Sequence, residues 1–209
     1  MGDGILLKRT VIHEICVILT VCILIFFNIH TSNIQSIPTS ANPESVKLAI
    51  LMYHGFTESG KESTYVINIK NFEKDIVFLK ENGFEFVNTD DLINYVEYGK
   101  ELPQKSIMIT FDDGYLNNFV YAYPIIQKYN VKTVISPIAS CSDYNTQNPD
   151  SNTSYANMTW GQVEEMSHSG LVNFENHSYN LHSFDQNRKG SSKNSSESSD
   201  DYRKLFFED

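Results

Sequence analysis

Short apolar runs alternate along this chain with stretches of helical periodicity, and that alternation constrains the fold more than any other feature. Residues 47–53 form a continuous apolar run that ends in His54 and Gly55, the pattern of a strand buried on both faces. Asn68 is placed to cap a helix in which Phe72, Ile76, Phe78 and Leu79 recur at helical spacing, and Gly83 closes it. A short strand over 84–87 follows, then a helix capped by Thr89 that carries Leu92, Ile93 and Val96 and stops at Gly99. Residues 106–111 read as a second buried strand, running into Asp112, Asp113 and Gly114. A helix over 123–129, a strand over 131–135, a helix capped by Thr159 and a strand over 171–174 continue the rhythm. Strand and helix in this order imply an α/β fold, a parallel sheet covered by helices. Residues 140–157 read as a polar surface insertion, 190–201 as a serine-rich loop, and 201–207 as the start of another helix.

The N-terminus is different in kind. Lys8 and Arg9 precede an apolar run over 15–29 that contains Cys16 and Cys22. A run of about fifteen residues is long for a signal peptide and short for a membrane span, and Val11 and Ile12 bring it near spanning length. Its basic flank stays in the cytoplasm, so the rest of the chain is expected outside. The expected organisation is a cytoplasmic tip and membrane anchor or signal over 1–30, a linker over 31–45 containing Pro38 and Pro43, and one domain over 46–209. The localisation is then single-pass at the cell membrane with the domain outside, or secretion after cleavage near residues 39–41.

Sixteen basic against twenty-six acidic side chains give a net charge of -10, which argues against a nucleic-acid partner. Cys141 is the one cysteine outside the apolar run, so no disulfide framework is expected.

Two segments carry chemistry. Thr110-Phe111-Asp112-Asp113-Gly114 ends a buried strand, where parallel α/β folds build their sites. The two carboxylates suit one metal ligand and one acid–base group; the alternative is a plain Asp-Gly turn. His177 and His182 are five residues apart, too far round a helix to share a face, so they straddle a strand end and its loop. Asp-His-His with an open position suits a catalytic Zn²⁺, with Mn²⁺ or Co²⁺ as alternatives. Taken alone, the pair reads more readily as two surface histidines in a polar loop; two such segments at successive strand ends turn the reading towards a metal site. His54 ends the first strand and is either a third group on this rim or a histidine bonded to backbone. Glycosylation patterns at Asn152, Asn157, Asn176 and Asn194 are the chance matches of an asparagine-rich chain. Trp160 opens a helix and reads as a packing residue rather than a sugar platform.

Together, Thr110-Phe111-Asp112-Asp113-Gly114 and His177-Ser178-Tyr179-Asn180-Leu181-His182 resemble the polysaccharide deacetylase family, the NodB-homology domain of carbohydrate esterase family four. The His spacing and the pair Tyr53-His54 are similar to the poly-N-acetylglucosamine deacetylase branch. The resemblance covers roughly 48–207 and implies a distorted (β/α) barrel that removes N-acetyl groups from an N-acetylglucosamine polymer at the cell surface. It implies that Asp112 is the general base, His54 the general acid, and Asp113, His177 and His182 the metal ligands. An eight-unit barrel takes about 250 residues and only roughly 165 follow the linker, so the expectation is an incomplete (β/α) barrel. The family's aromatic-Pro-Tyr-Gly segment does not occur before Asp209. The alternative functions are a saccharide-binding relative without turnover or a fragment without activity.

Overall fold

Strand β5 organises the domain. In the computed structural model the described residues are 48–182, 184–185, 188–189, 192–193 and 196–208. The apolar run at 15–29 and the linker therefore lie outside the described residues, and no described helix is long and apolar enough to cross a membrane.

The chain runs through β1 (Ala49–Tyr53), β2 (Gly55–Thr57), β3 (Val66–Asn68), α1 (Ile69–Glu81), β4 (Glu85–Val87), α2 (Thr89–Tyr98) and β5 (Ser106–Asp113). A π-helical turn (Asn118–Ala122) leads into α3 (Tyr123–Tyr129). Then follow β6 (Thr133–Pro137), α4 (Ala139–Gln147), α5 (Trp160–His168), β7 (Val172–Phe174), a short hairpin of β8 (Phe184–Asp185) and β9 (Arg188–Lys189), and α6 (Ser199–Glu208). The sheet order is β1-β5-β6-β7, with β4 also pairing β5, and every pairing in it is parallel. β2 and β3 form a small parallel pair of their own, which the sequence pattern did not announce.

Alternation along β5 divides the interior. Ile107, Ile109 and Phe111 are buried in the larger core with Phe72, Ile76 and Ile126, while Met108 joins Val87, Leu102 and Val134 behind the sheet. Phe56, Phe72 and Phe111 meet at centroid separations of 5.0 to 5.6 Å, and Tyr53 packs edge-on to Phe72 at 5.3 Å. Tilted and edge-on pairs of this kind each add about 0.5–1.5 kcal/mol beyond simple burial. The aromatic block lies directly under the C-terminal ends of β1 and β5 and gives that rim a rigid floor.

Helix ends follow local chemistry. Asn68 caps α1 by accepting from the Lys70 N–H at 2.9 Å. At α2 the cap is Asn88 rather than Thr89: Asn88 and Asp91 form a reciprocal capping box, and Thr89 is the first helical residue. Thr159 and Gln162 make the corresponding box on α5.

Two expectations are corrected. β1 is not buried: Ile50 is 56% and Met52 62% exposed. It is the outer strand of the sheet, and among the described residues its second edge carries no partner. Residues 140–157 are not a bare insertion either. α4 occupies the first part of the segment, to Gln147, with Ser142 and Asn145 buried, and the segment's tail returns to support the β5 rim.

Candidate metal centre and catalytic rim

β5 ends on a backbone irregularity. Asp113 adopts φ 68° and Gly114 φ 67°, both left-handed. Aspartate is among the few residues with a side chain that enter this region readily. Gly114 has no substitute, since an added Cβ would lie 2.6 Å from Pro137 Cβ and 2.8 Å from Pro137 Cα. The turn is pinned by the tail of the 140–157 segment. Asn157 Nδ2 donates to the Asp113 carbonyl at 2.8 Å, Met158 N to the Gly114 carbonyl at 2.9 Å, and Leu116 N to the Ala156 carbonyl at 2.7 Å.

The change of hand at Asp113 turns its side chain into the interior, with only 8% of the side chain exposed. Its Oδ1 is buried and accepts no hydrogen bond. Burial, together with the Asp113 carboxylate, pushes the Tyr115 phenol pKa up to about 12. A buried carboxylate oxygen left without a donor calls for a cation.

Two imidazoles face it. Beyond β7 the chain keeps following β6: His177 N donates to the Pro137 carbonyl at 3.3 Å, and Ser178 bridges Ile138 in parallel. This extension carries His177 to the sheet end and lets the loop bring His182 back. His177 Nε2 lies 3.5 Å and His182 Nε2 3.4 Å from Asp113 Oδ1, and His177 Nε2 lies 3.1 Å from His182 Nδ1. One ligand atom from each residue falls within 4.8 Å of the others, a spacing that a single ion held at about 2 Å from each can close. The His182 side chain is 52% exposed, so the pocket is open on the solvent side. The donor set of two imidazoles and one carboxylate with an open face fits a divalent metal of the Zn²⁺ type.

His54 and Asp112 form a second pair on the same rim. β1 runs parallel to β5 with Tyr53 beside Phe111, so the next residues along, His54 and Asp112, are neighbours. His54 Nε2 is 3.8 Å from Asp112 Oδ2, and both side chains are mostly buried. The His54 ring meets Tyr65 edge-on at 5.0 Å, and its carbonyl accepts from Asn118 Nδ2 at 2.8 Å. All five residues singled out in the sequence are thus brought to one sheet end, in two groups: Asp113 with His177 and His182, and His54 with Asp112.

A family model described as polysaccharide deacetylase matches residues 99–205, a stretch that contains both motifs. The chain belongs to the polysaccharide deacetylase family. It is 27% identical over 148 residues to the poly-β-1,6-N-acetyl-D-glucosamine N-deacetylase of Escherichia coli K12, covering 67% of this chain and 22% of that protein. It is 29% identical over 135 residues to the Staphylococcus aureus MSSA476 protein of the same name, covering 64% of this chain and 44% of that one. The chain therefore spans less than half the length of these curated relatives. Among solved structures it is similar to a de-N-acetylase from Aggregatibacter actinomycetemcomitans, with TM-score 0.67 and 27% identity over 78% of this chain and 70% of that one.

Three supporting residues of this family member escaped the sequence reading. Asn157 figured only as a glycosylation match, yet its amide is committed to the Asp113 carbonyl. Asn117 accepts from Phe56 N at 2.9 Å and donates to the Thr153 carbonyl at 2.9 Å, while Asn118 holds His54. Two consecutive asparagines three and four residues after Gly114 were the available signal, because that position faces the loops that shape the rim.

Proposed function

We propose that this chain is the catalytic part of a metal-dependent hydrolase that removes N-acetyl groups from an N-acetylglucosamine polymer. The observation that carries the reading is the buried, unpartnered Asp113 Oδ1 facing His177 and His182, beside the His54–Asp112 pair. The names of the curated relatives supply the substrate class, a poly-β-1,6-N-acetyl-D-glucosamine.

Asp113, His177 and His182 are the ligands in this reading, with Zn²⁺ favoured by the donor set over Mn²⁺ or Co²⁺. A divalent ion there supplies polarisation of the acetyl carbonyl and a lowered pKa for water. Asp112 is the general base: its carboxylate accepts a proton from the attacking water. His54 is the general acid: its imidazolium delivers a proton to the sugar nitrogen as the C–N bond breaks. The His54 ring lies 3.8 Å from the Asp112 carboxylate, so acid and base stand side by side on the rim. Water adds to the acetyl carbon, acetate leaves, and the sugar keeps a free amine; no glycosidic bond is cut. The buried aromatic floor of Phe56, Phe72 and Phe111 holds the two catalytic strand ends at fixed separation.

A cell-surface polymer as substrate suits a domain outside the cytoplasm, and the apolar run at 15–29 is the segment we assign to carrying the domain across the membrane, as an anchor or a signal. The test is acetate release from β-1,6-linked N-acetylglucosamine oligomers by the purified chain. The expected result is release that stops on chelation and returns on adding Zn²⁺. Saccharide binding with no acetate from the metal-loaded chain would overturn the catalytic reading.

A further inference from the structure

β1 is weakly held by packing. Tyr53 is the one residue of this strand that is not exposed, and among the described residues the strand pairs on a single edge. The Tyr53 ring joins the aromatic floor against Phe56, Phe72 and Phe111, at centroid separations of 5.3 to 6.0 Å. The other three rings of that floor are phenylalanine, so packing alone does not call for a hydroxyl at this position. The hydroxyl reaches out of the floor to α1 and donates to Asp75 Oδ2 at 2.9 Å, a bond to a charged acceptor. Burial, with Asp75 adding to it, holds the phenol well above its ordinary pKa, so it stays a donor across the neutral range. α1 is a firm anchor, with Phe72 and Ile76 buried just before and just after Asp75. The residue after Tyr53 is His54. Beyond it, the turn that follows β5 clamps the chain: Asn118 Nδ2 donates to the His54 carbonyl at 2.8 Å, and Phe56 N donates to Asn117 Oδ1 at 2.9 Å. His54 is thus suspended between two ties, one to the turn after Asp112 and Asp113 and one, through Tyr53, to α1.

We propose that Tyr53 is a positioning residue for the general acid: its hydroxyl, tied to Asp75 on α1, fixes the end of β1 and so sets the distance of the His54 ring from the reacting nitrogen. The inference rests on the proposed function, in which His54 protonates the departing amine. An amine leaves only when protonated, and the donor must stand within hydrogen-bond reach of the nitrogen. A misplacement of about 1 Å can cost on the order of 10²-fold. Tyr53 and Asp75 act through His54 alone, so their loss should leave the metal ligands and Asp112 in place.

The experiment compares two acetyl donors on the full zinc-loaded chain. One is a β-1,6-linked N-acetylglucosamine oligomer, whose amine needs the acid. The other is 4-methylumbelliferyl acetate, whose phenolate leaves without a proton. Tyr53→Phe keeps the ring in the floor and removes only the tie. It should lower kcat on the oligomer roughly 10–100-fold, with KM and zinc content unchanged, so that the ratio of amide to ester turnover falls by the same factor. Asp75→Ala should lower the ratio alike. Asp75→Asn, whose side-chain carbonyl still accepts from the phenol, should restore most of it. A loss shared equally by both donors would show a purely structural role and overturn the proposal, with the hydrolase reading left standing. An unchanged kcat on the oligomer in Tyr53→Phe would overturn it as well. A parent chain that releases no acetate from the oligomer would instead overturn the hydrolase reading on which the inference rests.

Discussion

Asp112 and Asp113 are adjacent in the chain but sit on opposite sides of a change in backbone hand. Only Asp113 turns its carboxylate toward His177 and His182, whereas Asp112 faces His54. Asp113→Asn suits the left-handed backbone as well as aspartate does, so it removes charge without adding strain. It should lose metal and activity together. Asp112→Asn should keep the metal and lose activity; zinc content by elemental analysis with parallel acetate release separates the two. Asn157 acts one step further out, holding the Asp113 carbonyl at 2.8 Å. Asn157→Ala should lower zinc affinity roughly 10–100-fold, the usual cost of losing a partner that orients a ligand. A competition titration with a chromophoric chelator measures it, and unchanged affinity would remove Asn157 from the supporting set.

Elements rather than single residues decide whether the rim survives. Gly114→Ala places a methyl group against Pro137 at the end of β6 and forces a left-handed alanine. It should cost roughly 2–4 kcal/mol, from the sum of backbone strain and overpacking, read as a lower denaturant midpoint. α1 and α3 are joined by Glu73, which accepts from Lys128 Nζ at 2.7 Å and Tyr129 OH at 2.9 Å. Those bonds hold the Glu73 carboxyl below the usual range. A folded-state pKa that is depressed contributes stability above the unfolded value, and that contribution is lost as the pH falls through the folded one. Thermal melts at neutral and acid pH should therefore converge in Glu73→Gln relative to the parent, by a small amount because the pair is solvent-exposed.

The elements also show what was legible. Helices with a cap and an apolar stripe, such as α1 and α5, announced themselves, because capping and periodicity are local. Both site motifs were legible for the same reason, each being a strand end followed by polar residues. β2 and β3 were missed because three-residue strands carry too few side chains to show a period. The role of Asn157 was missed because its bond spans 44 residues. Exposure of β1 was missed because an apolar run states what a strand can bury, not whether a neighbour lies beside it.

At the scale of the molecule, that strand has its own consequence. β1 presents one unpaired edge among the described residues, with Ile50, Leu51 and Met52 exposed along it. Ile50→Lys with Met52→Lys should reduce self-association, monitored by light scattering across a dilution series, because charge on an edge strand opposes pairing with another chain. Equal scattering from parent and variant would show that the edge is inert. Amide and carbonyl groups unpaired among the described residues, beside apolar side chains, make a template. Its natural occupant is an extended segment of matching register, from a second copy or from an unfolded neighbour. If the edge is filled in this way, protein concentration becomes a hidden reagent in every measurement made on this chain, because β1 pairs directly with β5, the strand that ends in Asp112 and Asp113.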